Sequence, residues 1–254
     1  MQPTPQPEAA LKLSFVVPAY NEETLLPACL AAIRAEIDRS GCAAEVIVVN
    51  NASTDRTADV AAGTQGVTLV HEPRKGLVQA RRAGYEVATG TYIANIDADT
   101  LLPVGWIDRV LEMFAKDEKL VCLSGPYDYY DVPFRIRACA RVFYLIGFCT
   151  YAFNKNVLGV GSMVQGGNFV ILREAMERIG GFNDAFQFYG EDTDIASRMS
   201  KIGNVTFTWS LMAKSSGRRL RGDGLFMTGV RYSANYLWAT FFRKPFTDAW
   251  TDYR

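Results

Sequence analysis

Short β-branched runs at residues 13–17, 45–49, 67–70 and 92–96 are separated by stretches of helical character. Residues 22–39 place Leu25, Leu26, Cys29, Ile33 and Ile37 at helical spacing, and 55–62 and 76–88 are rich in helix formers. Strand alternating with helix predicts an α/β fold, with a mostly parallel sheet flanked by helices. Sheets of this kind bind ligands beyond the carboxyl ends of their strands. The polar segments after three of the runs, Ala19-Tyr20-Asn21-Glu22, Asn50-Asn51-Ala52-Ser53 and Asp97-Ala98-Asp99, are therefore expected to share one crevice.

After about Leu123 the pattern becomes less regular. An aromatic and basic segment, 127–156, precedes a small-residue stretch, 159–168. A strand at 169–172 and a helix at 173–179 follow, and Gly180-Gly181 ends that helix as a C-cap pair. A loop running into a helix at 190–199 and a strand at 205–209 complete the second lobe. The expected division is a disordered proline-rich lead at 1–12, a first half at 13–123 and a second half with a C-terminal helical segment at 124–254. No composition shift marks a linker, so the halves are expected to pack as one unit.

Composition narrows the function classes. With 254 residues and 49% hydrophobic content, the chain can bury a large core. Lys plus Arg and Asp plus Glu each total 27, so no global field favours nucleic acid. Five cysteines without a Cys-x-x-Cys argue against a disulfide framework or zinc site and point to a reducing cytoplasm. No signal-peptide pattern opens the chain. The apolar run at 142–153 is short of the roughly 20 residues that cross a bilayer, so it is expected to lie on a membrane at most.

Three charged constellations carry the chemistry. Asp97 and Asp99 are alternate residues directly after a strand-like run, an arrangement that can share a hard divalent cation and through it a pyrophosphate. Taken alone, Asp-x-Asp is also frequent in ordinary surface turns. Glu191, Asp192 and Asp194 stand where a loop meets a helix. They read either as helix-capping acids or, on a mobile loop with Phe188-Tyr189-Gly190, as a source of a general base. Lys214-Ser215-Ser216-Gly217-Arg218-Arg219-Leu220-Arg221 is either a solvated turn or a clamp for diphosphate.

The order of Phe15-Val16-Val17-Pro18-Ala19-Tyr20-Asn21-Glu22, Val48-Val49-Asn50-Asn51-Ala52-Ser53-Thr54-Asp55-Arg56-Thr57, Asp97-Ala98-Asp99, Gly180-Gly181-Phe182 and Gly190-Glu191-Asp192 resembles family 2 glycosyltransferases, over roughly residues 13–199. The resemblance implies a GT-A type, Rossmann-like sheet with a less regular acceptor-side lobe. It also implies a nucleoside-diphosphate sugar donor, UDP-linked by preference, and a divalent cation, Mg2+ or Mn2+. By position, Pro18, Ala19, Tyr20, Glu22 and Asn50 would border the nucleotide, while Asp97, Ala98 and Asp99 would serve ribose, diphosphate and metal. Asp99 would be the direct metal ligand, with Asp97 beside it. Asp192 would be the catalytic base, Glu191 the second candidate, and Arg218 and Arg219 would close on the diphosphate.

Two positions depart from the pattern. Asn50 stands where many relatives carry Asp, and an amide oxygen accepts a nucleobase N–H without charge assistance. In Ala80-Arg81-Arg82-Ala83-Gly84, Arg82 replaces a common Asn, and Arg81 either approaches the donor phosphates or pairs on a helix face. The Gln-x-x-Arg-Trp motif of processive members is absent, which favours transfer of a single sugar to a glycan or lipid-linked acceptor. The lone His71 reads as a loop residue. Phe143, Tyr144, Phe148, Tyr151 and Phe153 read first as packing, with a membrane-lying surface beside Arg135, Arg137 and Arg141 at the inner face as the minority reading. Tyr232, Tyr236, Leu237, Trp238, Phe241 and Phe242 form the expected apolar face of a C-terminal helix, with a membrane-facing or dimer-forming role as its alternative. The rival functions are a nucleotidyltransferase, which lacks its glycine-rich phosphate loop here, and a binding module, which would need no base.

Overall fold

The computed structural model describes residues 13–153, 157, 163–183, 185–186, 190–222 and 224–242. The expected lead at 1–12 and the Phe188-Tyr189 flank lie outside them. The first half runs β1 (Leu13–Ala19), α1 (Leu26–Ser40), β2 (Ala44–Asn50), α2 (Thr57–Gly63), β3 (Val67–His71), α3 (Leu77–Val87), β4 (Tyr92–Ile96), β5 (Thr100–Leu101), α4 (Trp106–Lys116) and β6 (Leu120–Ser124). The second half continues with β7 (Tyr127–Tyr129), α5 (Phe134–Phe153), β8 (Asn168–Leu172), α6 (Arg173–Arg178), α7 (Glu191–Met199), β9 (Asn204–Phe207), β10 (Ala213–Ser215), α8 (Arg218–Gly222) and α9 (Leu225–Phe242).

Seven strands form the main sheet in the order β3-β2-β1-β4-β8-β6-β9. Neighbouring pairs are parallel except those of β8, which runs antiparallel to both β4 and β6. The α/β expectation therefore holds, and strands from both sides of residue 123 share the sheet.

Strand periodicity sorts the core into two layers. Phe15, Val17, Val48, Ala94 and Ile96 pack under α1, α2 and α4. Val16, Ile47, Val49, Ile93, Phe169 and Ile171 pack under α3, α6 and α7. Gly84 is required in α3, since a side chain there would overlap Val16. A smaller sheet, β5-β10-β7, lies at the end of the structure where the Asp97–Asp99 loop emerges.

Three boundaries differ from the sequence expectation. Helix α1 begins at Leu26, not Glu22, because Pro27 in its first turn has the fixed φ that suits a helix start. Glu22 is thereby left in the loop beyond β1, buried at 3% exposure. Strand β9 stops at Phe207, where Thr208 accepts a hydrogen bond from the Ser210 amide at 3.2 Å and starts a short 3-10 turn at Trp209–Leu211. The apolar run at 142–153 joins the preceding segment as one 20-residue helix, α5, which by length and composition alone could cross a bilayer. Gly180 and Gly181 do close α6, at φ of 79° and 76°.

Candidate active site

The loops after β1 and β2 are braced against each other. Asn21 adopts φ 49°, its backbone amide donates to Ser53 Oγ at 3.0 Å, and its Oδ1 accepts from the Thr54 amide at 2.8 Å. Beneath them the Thr57 hydroxyl, fixed by Asp55, accepts from the Glu22 amide at 2.7 Å. Asn51 spans the next gap, donating to the Glu72 and Arg74 carbonyls at 3.0 and 2.8 Å and accepting from the Gly76 amide at 2.8 Å. Lys75 Nζ consequently stands 3.9 Å over the Tyr20 ring, a cation–π contact.

A cavity of about 470 Å³ opens beside these loops. It brings together Pro18, Glu22, Arg81, Asp97, Ala98, Asp99, Glu191, Asp192, Arg218 and Arg219. Ala19, Tyr20 and Asn50 stand outside its lining, at the adjoining ends of β1 and β2. His71 is the last residue of β3 and not a loop residue; its Nδ1 lies 3.4 Å from Asn50 Nδ2. Asn50 Oδ1 is buried without a hydrogen-bond partner.

Two arginines organise the acids. Arg81, 1% exposed on α3, donates to Glu191 Oε2 at 2.5 Å, to Asp97 Oδ1 at 3.3 Å and to the Gly166 carbonyl. Arg81 therefore pairs with acids inside the fold and not on an open helix face, and it also lines the cavity. Arg218 grips both carboxylate oxygens of Glu22 and stands 3.1 Å from Asp99 Oδ2. The Lys214–Arg221 segment is therefore not a solvated turn at Arg218.

The acids of α7 are neither caps nor part of an exposed loop. Gly190, in the left-handed conformation, occupies the N-cap, and Glu191 lies buried in the first turn. Asp194 pairs with Arg198 at 2.7 Å on the helix itself, whereas Asp192 reaches the cavity. Its Oδ1 accepts from the Thr193 amide at 2.8 Å.

Burial sets the proton affinities. It pushes Asp99 up to about 7, Arg218 opposing while Asp97 and Glu22 add to the rise. It likewise pushes Glu191 up to about 7 against the pull of Arg81. Asp192 is raised above its ordinary range, burial again leading and Arg81 opposing. Tyr127 is raised well above the usual phenol range by burial and by Asp97 and Asp99. It remains a neutral donor, its hydroxyl 3.4 Å from Asp97 Oδ2.

Asp97 and Asp99 offer the hard oxygen ligands that Mg2+ or Mn2+ takes. Among the described residues, no group of three or more His, Cys, Asp or Glu is arranged to hold a metal. The pair fits a cation that completes its shell with diphosphate oxygens and water, the usual habit of Mg2+.

Sequence reading missed Tyr127, Ser215 and Gly167. Ser215 donates to Asp99 Oδ1 at 3.3 Å, and a Cβ at Gly167 would overlap the Asp97 carboxylate. The small-residue stretch before Asn168 was the available signal. Asn168 itself holds this corner, donating to the carbonyls of Gly125 and Leu211 at 3.0 and 2.7 Å and accepting from Trp106 at 3.1 Å.

Known proteins resemble this chain in sequence and in fold. The profile of Glycosyl transferase family 2 matches residues 14–180, and that of the N-terminal domain of galactosyltransferase matches 156–219. An uncharacterized glycosyltransferase of Mycobacterium tuberculosis is 40% identical over 109 residues, 43% of this chain and 46% of the relative. An undecaprenyl-phosphate 4-deoxy-4-formamido-L-arabinose transferase of Sodalis glossinidius is 31% identical over 116 residues, 43% of this chain and 36% of the relative. These matches span less than half the length of either relative.

Among solved structures, the mannosyltransferase of Pyrobaculum calidifontis in complex with GDP-Man and Mn2+ superposes at TM-score 0.66 and 23% identity, covering 89% of this chain and 61% of that one. Glucosyl-3-phosphoglycerate synthase of Mycobacterium tuberculosis, in complex with Mn2+, UDP and phosphoglyceric acid, superposes at 0.63 and 19%, covering 91% and 78%. At these identities the likeness establishes the GT-A type fold. The profile match spans more than half of the sequence, including the loops after β1, β2 and β4, and on that ground the chain belongs to glycosyltransferase family 2.

Proposed function

We propose that this chain transfers a single sugar from a nucleoside-diphosphate sugar, UDP-linked by preference, to a hydroxyl of a glycan or lipid-linked acceptor, with inversion at the anomeric carbon. The observation that carries the reading is that Asp192, from α7, and the Asp97/Asp99 pair, from the end of β4, line one cavity. Leaving-group acids and a candidate base thus converge from separate elements. The relatives in complex with GDP-Man or UDP together with Mn2+ support a nucleotide donor and a divalent cation.

In this reading Asp192 takes the proton of the acceptor hydroxyl as its oxygen attacks the anomeric carbon. The bond from that carbon to the diphosphate oxygen breaks on the opposite face. A cation bound with Asp97 and Asp99 would supply positive charge for the leaving diphosphate. Arg219, on the cavity wall, adds charge of the same sign. Glu191 is tied to Arg81 at 2.5 Å, which favours Asp192 as the base.

Asp192→Asn should lower transfer by about 10²–10⁴-fold, while calorimetry still detects UDP with Mn2+ at near wild-type affinity. Wild-type transfer should fall as pH drops, along an acid limb above the ordinary aspartate range, since burial raises Asp192 and only its ionised form accepts the proton. Transfer retained in Asp192→Asn, or UDP binding lost along with it, would sink the assignment.

A further inference from the structure

Helix α5 is anchored to the domain along one side. Arg137 pairs with Asp128 at 2.5 Å near its start, Tyr144 donates to Gln165 Oε1 at 2.7 Å in the middle, and Tyr151 donates to the Val205 carbonyl at 3.1 Å near its end. The opposite side carries Arg135, Cys139, Val142, Ile146, Cys149 and Phe153, at spacings of three and four that form one stripe, all exposed. Leu145 flanks the stripe at 53% exposure, and nearer the anchored side Arg141 shares Asp128 with Arg137 at 3.3 Å, which leaves the first half of the helix with a net positive charge. The stripe thus runs from basic to apolar. Helix α9 crosses α5 closely where Gly229 faces Phe143, and it too exposes large side chains, Trp238 and Phe242.

The stripe is continuous with the cavity. Ile146 is 60% exposed yet lines the cavity together with Phe143, so its apolar wall reaches the outer face of the helix. Exposed aliphatic and aromatic side chains with arginines at one end are what a helix lying in a lipid interface presents. The anchoring contacts along its inner side hold α5 flat on the domain, which argues for lying on a bilayer and against crossing one.

We infer that the outer face of α5 is a docking surface for an anionic lipid bilayer, with the cavity opening beside it. Contact with the lipid acyl region accounts for Val142, Leu145, Ile146 and Phe153, and Arg135 meets the headgroup charge, with the excess positive charge of Arg137 and Arg141 over Asp128 behind it. This surface rests on the transferase reading only for what the cavity would receive from the membrane.

The test is co-sedimentation of the full chain with phosphatidylglycerol/phosphatidylcholine vesicles and with phosphatidylcholine vesicles alone. Binding to the anionic vesicles should be about tenfold the stronger. Val142→Glu/Leu145→Glu, two exposed positions outside the cavity lining, should reduce it at least tenfold, with UDP and Mn2+ binding unchanged. Vesicle binding that is absent in the wild type, or indifferent to the double substitution, would overturn the inference. So would a wild-type dimer in sedimentation velocity that the same substitutions dissociate, which would make a second copy the occupant. Vesicle binding without any nucleotide binding would leave the docking surface standing and remove the transferase reading instead.

Discussion

The two arginine centres use the same chemistry under opposite conditions of access. Arg81 is sealed in α3 between Glu191 and Asp97, its side chain 2% exposed. Arg218 arrives from the C-terminal part of the chain, 20% exposed at the cavity rim, and holds Glu22 and Asp99. A buried guanidinium with two carboxylates is fixed, because withdrawing it would strand charges in a medium that cannot solvate them. A rim guanidinium can be exchanged for water, for a cation or for substrate phosphate. In the proposed reaction, Arg81 would belong to the frame that joins donor-side and acceptor-side acids, and Arg218 to the part that responds to ligand.

The largest effect should come from breaking the sealed centre. Arg81→Met leaves Glu191 and Asp97 without their shared cation and should cost about 3–5 kcal/mol of stability, read by urea denaturation. Adding Glu191→Gln should recover part of the loss, since the most buried stranded charge is then removed. A loss below 1 kcal/mol would mean that water reaches Arg81 and that the two centres do not differ as described.

Arg218→Ala should be far milder on stability and should act on ligands. With the guanidinium gone from Asp99, Mn2+ without nucleotide should bind at least about tenfold more tightly, because a positive charge 3.1 Å from the carboxylate no longer opposes it. UDP binding in the presence of Mn2+ should move the other way, since arginine's fork suits diphosphate. Calorimetry separates the two. Unchanged Mn2+ affinity would show that Arg218 and the cation do not compete for these carboxylates.

Legibility followed the range of the interactions. The strand runs, the turn at Gly180-Gly181 and the Asp97-Ala98-Asp99 loop declare themselves within a few residues, through periodicity and turn chemistry. The pairing of Arg81 with Glu191 spans 110 positions and that of Arg218 with Glu22 spans 196, and no local pattern encodes either partner. Each arginine was visible as a charge near a motif; what it neutralises is decided by α3 and α7 packing on the same face of the sheet and by β10 delivering α8 to the rim. Tyr127 was hidden for a related reason. Its role depends on β7 pairing with β10, a short parallel contact between segments with no hydrophobic run of their own.

The smallest expected effect concerns Asn50, which the resemblance to the family would set beside the nucleobase. Asn50 lies at the end of β2, with Nδ2 toward His71 and Oδ1 without a partner. If this oxygen accepts an N–H of the base, Asn50→Asp adds a formal charge to that acceptor and should tighten UDP by about fivefold, the difference of roughly 1 kcal/mol between neutral and charge-assisted hydrogen bonds. His71→Phe should instead weaken discrimination between UDP and CDP, because the amide loses the neighbour that orients it. Calorimetric affinities for UDP, CDP and GDP that are the same in Asn50→Asp and in the wild type would place base recognition elsewhere, with the Tyr20–Lys75 stack as the next position to test.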